Sequence, residues 1–161
     1  MDYKEEEHKN GVTMKSAGIS LNYWHKNLKY LINVVDTPGH IDFSFEVSCA
    51  VRICDGAVVL IDVVEGVCPQ TEVVLRQSWK EGIVPCLAIN KIDRLVHELR
   101  MTPMEAYIHI SNVVDQANAL MFNLYQETGQ QSSDGCQYDV YFSPVKGNVI
   151  FCSGLNGWAF R

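Results

Sequence analysis

Short apolar runs alternate along the chain with segments in which apolar residues recur at helical spacing. The runs are rich in β-branched residues and end at polar or turn-forming residues, a pattern typical of buried strands. They lie at 30–36, 57–62, 84–90 and 149–152. Strands that alternate with helices in this way predict an α/β fold built on a mostly parallel sheet.

Three segments of the chain predict helices. The residues 42–54 predict an amphipathic helix, and Pro69 fits the first turn of a second helix that runs to Gly82. A third helix begins at the capping box formed by Thr102 and Glu105. Its apolar face is predicted to carry Tyr107, Ile110, Val113, Val114, Ala117 and Leu120.

The ends of the pattern are less regular. The alternation from Ile19 to Trp24 predicts a short strand, with Asn27 in the turn before the run at 30–36, and therefore an antiparallel hairpin. The segment 126–139 is polar and rich in Gln, Ser and Gly, which predicts a surface insertion.

Composition narrows the class of protein. With 161 residues, 47% of them hydrophobic, the chain suits one globular domain, and its net charge of −6 argues against a nucleic-acid-binding surface in this segment. The six cysteines lie mostly in apolar runs and form no Cys-x-x-Cys pair, which predicts buried, reduced thiols in a cytosolic or nuclear compartment. A cytoplasmic protein is expected. No signal peptide or bilayer-spanning run is recognisable, so no membrane association is expected.

The first candidate site lies where the run at 30–36 ends in a carboxylate. A buried parallel strand there would deliver Asp36 to the sheet edge at which ligands of open α/β sheets bind. The break at Pro38 and Gly39 leaves a backbone N–H that no side chain shields from a phosphate oxygen, and the imidazole of His40 follows. A strand end with an ordinary polar turn is the alternative.

The second candidate site is Asn90-Lys91-Ile92-Asp93, directly after another predicted strand. The carboxylate of Asp93 would accept the ring N–H and the exocyclic amine of guanine, and adenine would leave it buried and unpaired. The stem of Lys91 would lie along the purine face, and the amide of Asn90 would tie the loop to neighbouring backbone. Taken alone the tetrapeptide is equally a polar turn; combined with the first site it favours a nucleotide-binding protein.

Two weaker signals fit the same interpretation. The turn Ser153-Gly154-Leu155 follows the last predicted strand and would offer backbone amides to the guanine carbonyl, although such turns are common. Thr13 lies in a polar loop, where its hydroxyl would complete a Mg²⁺ shell; without the other motifs it would be a surface threonine. In this scheme Asp36 holds Mg²⁺ through its water shell, Gly39 N–H bonds the γ-phosphate, and His40 orients the attacking water.

These motifs resemble those of translational GTPases, and further stretches are similar to the elongation factor 2 branch. The shared base and switch motifs are Gly11-Val12-Thr13, Asp36 to His40, Asn90 to Asp93 and Ser153 to Leu155. The stretches typical of the branch are Val51–Gly56, Glu65–Thr71, Leu75–Gln77, Asn90–Leu95 and Gly157–Phe160. Within the branch, the resemblance is greatest to elongation-factor-like GTPases of ribosome assembly, in Cys68–Gln70, Thr102-Pro103, Glu105–Tyr107, Tyr141–Pro144 and Gly147–Val149.

The resemblance implies a P-loop GTPase-type sheet that binds GTP or GDP with Mg²⁺ and hydrolyses GTP. In the ribosome-assembly family, hydrolysis drives release of an anti-association factor from the nascent large ribosomal subunit, together with the Shwachman-Diamond protein. The ribosomal contacts would be made by regions outside this segment. Two alternatives stay open: the GTPase domain of an elongation factor 2 type translocase, and a degenerate, non-catalytic GTPase-like binding module.

The chain departs from the family in two places. Asn10 stands where the family usually has arginine, and no Gly-x-x-x-x-Gly-Lys-Ser/Thr phosphate loop occurs. Residues 1–161 are therefore expected to be a partial GTP-binding domain, without the first strand and phosphate loop and inactive alone. In the family that strand lies between those at 30–36 and 57–62, so both are expected to have unpaired edges.

Overall fold

In the computed structural model, which describes residues 9, 11–127 and 141–161, the chain divides into two units at Cys54. The first unit extends to Cys54 and the second begins at Asp55. Each unit has its own sheet, of two strands in the first and four in the second.

The first unit is built on a β-hairpin, as the alternation of its residues predicts. Strands β1 (Ala17–His25) and β2 (Leu28–Asp36) pair antiparallel, with His25 opposite Leu28. Lys26 and Asn27 both have positive φ, 46° and 64°. Two left-handed residues form the two-residue turn whose twist matches that of the flanking strands.

The prediction that β2 is a buried parallel strand is wrong in this structure. It pairs only with β1 among the described residues, antiparallel, and Leu31 is 64% exposed. An apolar β-branched run indicates strand backbone, but the pattern contains no information about which elements cover its faces. Asp36 nevertheless ends the strand, as predicted.

After the hairpin, a 3-10 turn (Ile41–Phe43) leads into helix α1 (Ser44–Val51). The predicted helix over 42–54 is therefore shorter at both ends. Its central apolar positions are buried, as the spacing predicts. These are Val47, Ala50 and Val51.

The second unit contains the predicted mostly parallel sheet. Strands β3 (Gly56–Asp62), β4 (Val84–Asn90) and β5 (Val149–Ser153) are parallel neighbours, and β6 (Trp158–Phe160) joins β5 antiparallel. The three parallel strands match the predicted runs to within one residue, whereas the three-residue strand β6 is too short to leave a periodic signal. In the described residues β2 and β3 are edge strands.

In the described part of this unit, three α-helices accompany the sheet: α2 (Pro69–Lys80), α3 (Asp93–His97) and α4 (Pro103–Glu127). One face of the sheet and the helices form a continuous apolar core. Its fully buried members include Ile61, Leu75, Leu87, Ile89, Leu95 and Met121. On α4 the predicted face is confirmed for Val113, Val114 and Ala117, whereas Tyr107 is exposed.

The capping box at the start of α4 is confirmed. The N–H of Thr102 donates to Glu105 Oε2 at 2.8 Å, and the N–H of Glu105 donates back to Thr102 Oγ1 at 3.4 Å. At its other end α4 extends to Glu127, so the first two residues of the predicted insertion 126–139 are helical. The remainder of that prediction, from 128 onwards, lies outside the described residues.

The cysteines are less buried than the apolar pattern predicts. Cys49 is exposed on α1, and the other cysteines in the described ranges are half-buried. Cys54 and Cys68 lie in loops, whereas Cys86 and Cys152 lie on strands β4 and β5. Burial still raises the pKa of the Cys86 and Cys152 thiols, which favours their protonated form. Among the helices of the described residues, none has both the length and the apolar character needed to cross a bilayer.

Candidate functional site

Three polar residues of the second unit lie at one edge of its sheet. Asp62, Asn90 and Ser153 are the last residues of β3, β4 and β5, which are parallel neighbours. The carboxyl ends of parallel strands meet at the same edge, where open α/β sheets bind their ligands. The predicted motifs at 90–93 and 153–155 are thereby adjacent.

The side chain of Asn90 joins these two motifs. Its Oδ1 accepts the N–H of Lys91 at 2.8 Å and the N–H of Gly154 at 2.9 Å. The N–H of Ile92 also donates to the carbonyl of Cys152, at 3.2 Å. The structure therefore shows the tie between the loop after β4 and the neighbouring backbone that the sequence predicts for Asn90.

Lys91 has an unusual backbone conformation. Its φ is 63°, in the left-handed region that non-glycine residues rarely adopt, and its carbonyl accepts the N–H of Arg94 at 2.9 Å. The Lys91 side chain reaches the neighbouring strand, where Nζ lies 2.8 Å from Asp62 Oδ2. Hydrogen bonds at both the N–H and the carbonyl of Lys91 hold this tight turn. They thereby fix the position of the Lys91 Cα, from which its side chain extends.

Asp93 begins helix α3 with an unused acceptor. Its Oδ1 is buried and has no hydrogen-bond partner in the part of the chain that the structure describes. Burying a carboxylate oxygen without a donor is unfavourable by about 1–3 kcal/mol or more. The atom is therefore suited to a ligand that brings N–H donors.

The turn after β5 is stabilised by hydrogen bonds between its own residues. Ser153 is fully buried, its Oγ accepts the N–H of Asn156 at 3.3 Å, and its carbonyl accepts the N–H of Gly157 at 2.9 Å. The Gly154 amide donates to Asn90 in this structure, and its role toward a guanine carbonyl stays a prediction. For Leu155, whose side chain is exposed, that role stays a prediction.

Two residues near these loops were missed by the sequence reasoning. Asp62 accepts Lys91 Nζ and, at the same oxygen, Arg94 Nη1 at 2.8 Å; Arg94 also bonds Glu98. Burial alone would raise the pKa of Asp62, but the hydrogen bonds from Lys91 and Val64 N–H and the two cations lower it below its usual value. The sequence does contain a signal for Asp62, because this carboxylate ends an apolar run in the same way as Asp36.

The remaining predicted residues belong to the first unit. Asp36 ends β2, Gly39 follows in the loop with nothing within 4 Å of where a Cβ would lie, and Thr13 is in the loop before β1. The carboxylate of Asp36 and the hydroxyl of Thr13 are the hard oxygen donors that Mg²⁺ accepts alongside water. Their chemistry fits that ion, although the described residues contain no cluster of three or more His, Cys, Asp or Glu that would cage a metal.

His40 caps the 3-10 turn that follows. Its Nδ1 accepts the N–H of Asp42 at 3.3 Å and lies 3.4 Å from the Asp42 carboxylate, while half of its side chain is exposed. A neutral imidazole that accepts at Nδ1 carries its proton on Nε2. His40 can therefore cap the turn through Nδ1 and still bind water through Nε2, as predicted, because the two roles use different nitrogens.

The second unit also contains a cavity of about 620 Å³. It is formed mainly by α4 and the segment 142–145, and its lining includes Tyr107, Ile110, Val114, Phe142 and Phe160. Neither Asn90 nor Asp93 lines it, but Ile92, which lies between them in the loop after β4, does. The cavity therefore adjoins that loop.

The parallel sheet and its strand-end loops place the second unit among the α/β domains, a class in which ligands bind beyond the carboxyl ends of parallel strands. Residues 1–161 match the family model of the elongation factor Tu GTP binding domain. The chain belongs to this family, and the resemblance to translational GTPases is confirmed.

Relatives at high identity point to one branch of the family. The chain is 50% identical over 187 residues to elongation factor-like GTPase 1 of Homo sapiens, with 99% of this chain and 17% of that protein covered. It is 44% identical over 188 residues to ribosome assembly protein 1 of Saccharomyces cerevisiae, covering 100% of this chain and 17% of that protein. Elongation factor 2 of Methanoculleus marisnigri is 44% identical over 159 residues, at 99% and 21% coverage. The chain thus spans about a fifth or less of these relatives.

Proposed function

We propose that this chain is part of the GTP-binding domain of a GTP hydrolase that acts in assembly of the large ribosomal subunit. Membership of the family supports guanine-nucleotide binding. The observation that carries the proposal is the buried, unpartnered Oδ1 of Asp93, on a loop that Asn90 braces against the turn after β5.

On this proposal, Asp93 and Lys91 recognise the base. The carboxylate of Asp93 accepts the ring N–H and exocyclic amine of guanine, and the Lys91 stem lies along the purine face. Each hydrogen bond to a charged group contributes about 1.5–3 kcal/mol, so the pair rejects adenine by roughly two to four orders of magnitude. Asn90 and Gly154 hold the loops together, and Ser153 and Leu155 complete the turn that faces the base.

The residues of the first unit serve the phosphate end of the nucleotide. Asp36, through its water shell, and the Thr13 hydroxyl would hold Mg²⁺, and the ion would neutralise phosphate charge. The N–H of Gly39 donates to the γ-phosphate, and His40 orients the attacking water through Nε2. The donor chemistry of these side chains and the family resemblance support these roles.

The names of two relatives support the biological role. Elongation factor-like GTPase 1 and ribosome assembly protein 1 cover essentially the whole chain at 50% and 44% identity. We propose that the protein acts in the cytoplasm on the nascent large ribosomal subunit and releases an anti-association factor together with the Shwachman-Diamond protein. A translocase of the elongation factor 2 type is the second candidate, favoured by 44% identity to an archaeal elongation factor 2.

The 161 residues alone are expected to bind GTP poorly. They contain no phosphate-loop motif, so they lack the lysine and the nest of amides that grip the β-phosphate in P-loop proteins. Isothermal calorimetry of the 161-residue chain with GTP should give no measurable heat at micromolar nucleotide. A dissociation constant in the micromolar range would contradict this expectation.

The experiment that tests the base assignment is Asp93→Asn in the full-length protein. An asparagine amide pairs with the carbonyl of xanthine and no longer accepts the amine of guanine, so preference should shift from guanine to xanthine nucleotides. Competition of GDP and XDP against a fluorescent nucleotide measures the shift, with Asp115→Asn, an exposed position on α4, as matched control. Unchanged preference for GDP in Asp93→Asn would refute the assignment.

A further inference from the structure

The carboxylate of Asp62 is the meeting point of an ion-pair network beside the base-recognition loop. It is 12% exposed and accepts Lys91 Nζ and Arg94 Nη1, both at 2.8 Å, on Oδ2. Its Oδ1 separately accepts the N–H of Val64 at 2.9 Å, in the turn that follows β3. Oδ1 therefore stabilises the turn after β3, whereas Oδ2 binds the two cations that follow β4.

The backbone determines the path that the lysine must follow. Asp62 and Asn90 are register partners at the ends of neighbouring parallel strands, and Lys91 is the next residue after Asn90. With Lys91 Nζ bound at the end of β3, the four-carbon stem of the lysine crosses from one strand end to the next. The stem is held at both ends, at its left-handed Cα and at its ammonium group.

We propose that Asp62 is a positioning residue for nucleotide binding, which holds the Lys91 stem in place as a preformed wall for the purine face. The inference rests on the proposed function. Without the Asp62 charge, the half-exposed Lys91 side chain would sample many rotamers and would lose that freedom each time a nucleotide binds.

Arg94 keeps the Asp62 carboxylate oriented toward Lys91. Its guanidinium donates to Asp62 through Nη1 and to Glu98 through Nε and Nη2, so it is held between two carboxylates. With two cations and two carboxylates, the network has no net charge. The Asp62–Lys91 pair therefore affects nucleotide binding by fixing the position of the lysine stem, and not by adding net charge to the site.

The test is Asp62→Asn in the full-length protein. Asparagine Oδ1 can still accept the Val64 N–H, so the turn after β3 is kept while the charge is removed. Loss of preorganisation of one long side chain should weaken GDP binding about 3- to 10-fold, measured by titration of a fluorescent GDP analogue. Asp62→Ser, whose hydroxyl also accepts that N–H, is the second variant in case the first does not fold.

The matched control is Glu72→Gln, which removes another ion pair of the same unit, between Glu72 and Arg76 on α2. It should leave GDP affinity unchanged. If it weakens GDP binding as much as Asp62→Asn, the effect is general and the proposal is overturned.

A double-mutant cycle separates positioning from structural damage. Lys91→Met keeps an apolar stem but has no ammonium for Asp62 to hold, so adding Asp62→Asn to it should change GDP affinity less than twofold. A further loss of twofold or more in that background, or no loss from Asp62→Asn in the parent, would overturn the proposal. Failure of the parent protein to bind guanine nucleotide would instead refute the proposed function, so the two failures are distinguishable.

Discussion

Replacing Asn90 by alanine should uncouple the two loops at the edge of the sheet. The Asn90 side chain accepts the amides of Lys91 and Gly154 at 2.8 and 2.9 Å, and alanine removes both bonds. A net contribution of about 0.5–1.5 kcal/mol for each bond gives a loss of about 1–3 kcal/mol in the free energy of unfolding. The left-handed φ of Lys91 would also lose the contact that supports it.

The assay is hydrogen exchange of single amides by NMR, combined with urea unfolding, and neither needs a nucleotide. The amide of Gly154 should exchange at least about fivefold faster in Asn90→Ala, since 1 kcal/mol corresponds to that factor. Asn90→Asp is the matched control, because its carboxylate keeps an oxygen for both amides. Unchanged exchange at Gly154 in the alanine variant would refute the view that Asn90 joins the loops.

Two further predictions concern stability. Thr102→Ala should lower the free energy of unfolding by about 1 kcal/mol in urea, because the N-cap of α4 is lost. Thr102→Ser should not, and equal loss in both would contradict the capping role. The lowered pKa of Asp62 means that its ion pairs stabilise the fold at neutral pH and stop doing so as pH falls below about 3.8 and through the folded pKa. Unfolding followed between pH 6 and pH 2 should therefore show a steeper acid decline in the parent than in Asp62→Asn, and parallel declines would contradict it.

The strand ends could be predicted from the sequence because two simple signals coincide there. An apolar β-branched run marks the strand, and a polar residue that interrupts it marks the edge of the sheet. For this reason Asp36, Asn90 and Ser153 lie at or next to strand ends, as predicted, and β4 begins and ends at the predicted residues. The capping box of α4 could also be predicted from the sequence, because Thr102 and Glu105 are only three positions apart.

The partners of those residues could not be predicted in the same way. Periodicity indicates which residues lie at an edge, but it does not indicate that the amide of Gly154 binds Asn90 or that Lys91 binds Asp62, 29 positions earlier in the sequence. Such contacts depend on strand order and register, which only the folded sheet determines. The position of the loop after β4 could therefore be predicted from the sequence, whereas the hydrogen bond from the Gly154 amide to Asn90 could not.

The exposed strand β2 shows the corresponding limit for the core. Burial of an apolar strand depends on the element that covers it, and the same run of residues can lie inside a sheet or at its edge. On β3 the pattern alternates, with Val59 and Ile61 buried and Val58 and Leu60 exposed, so the two faces of one apolar strand have different environments. Apolar character alone predicted both faces as buried. The positions of the strand ends are insensitive to this error, because a terminal carboxylate or amide remains at the edge of the sheet whichever face is covered.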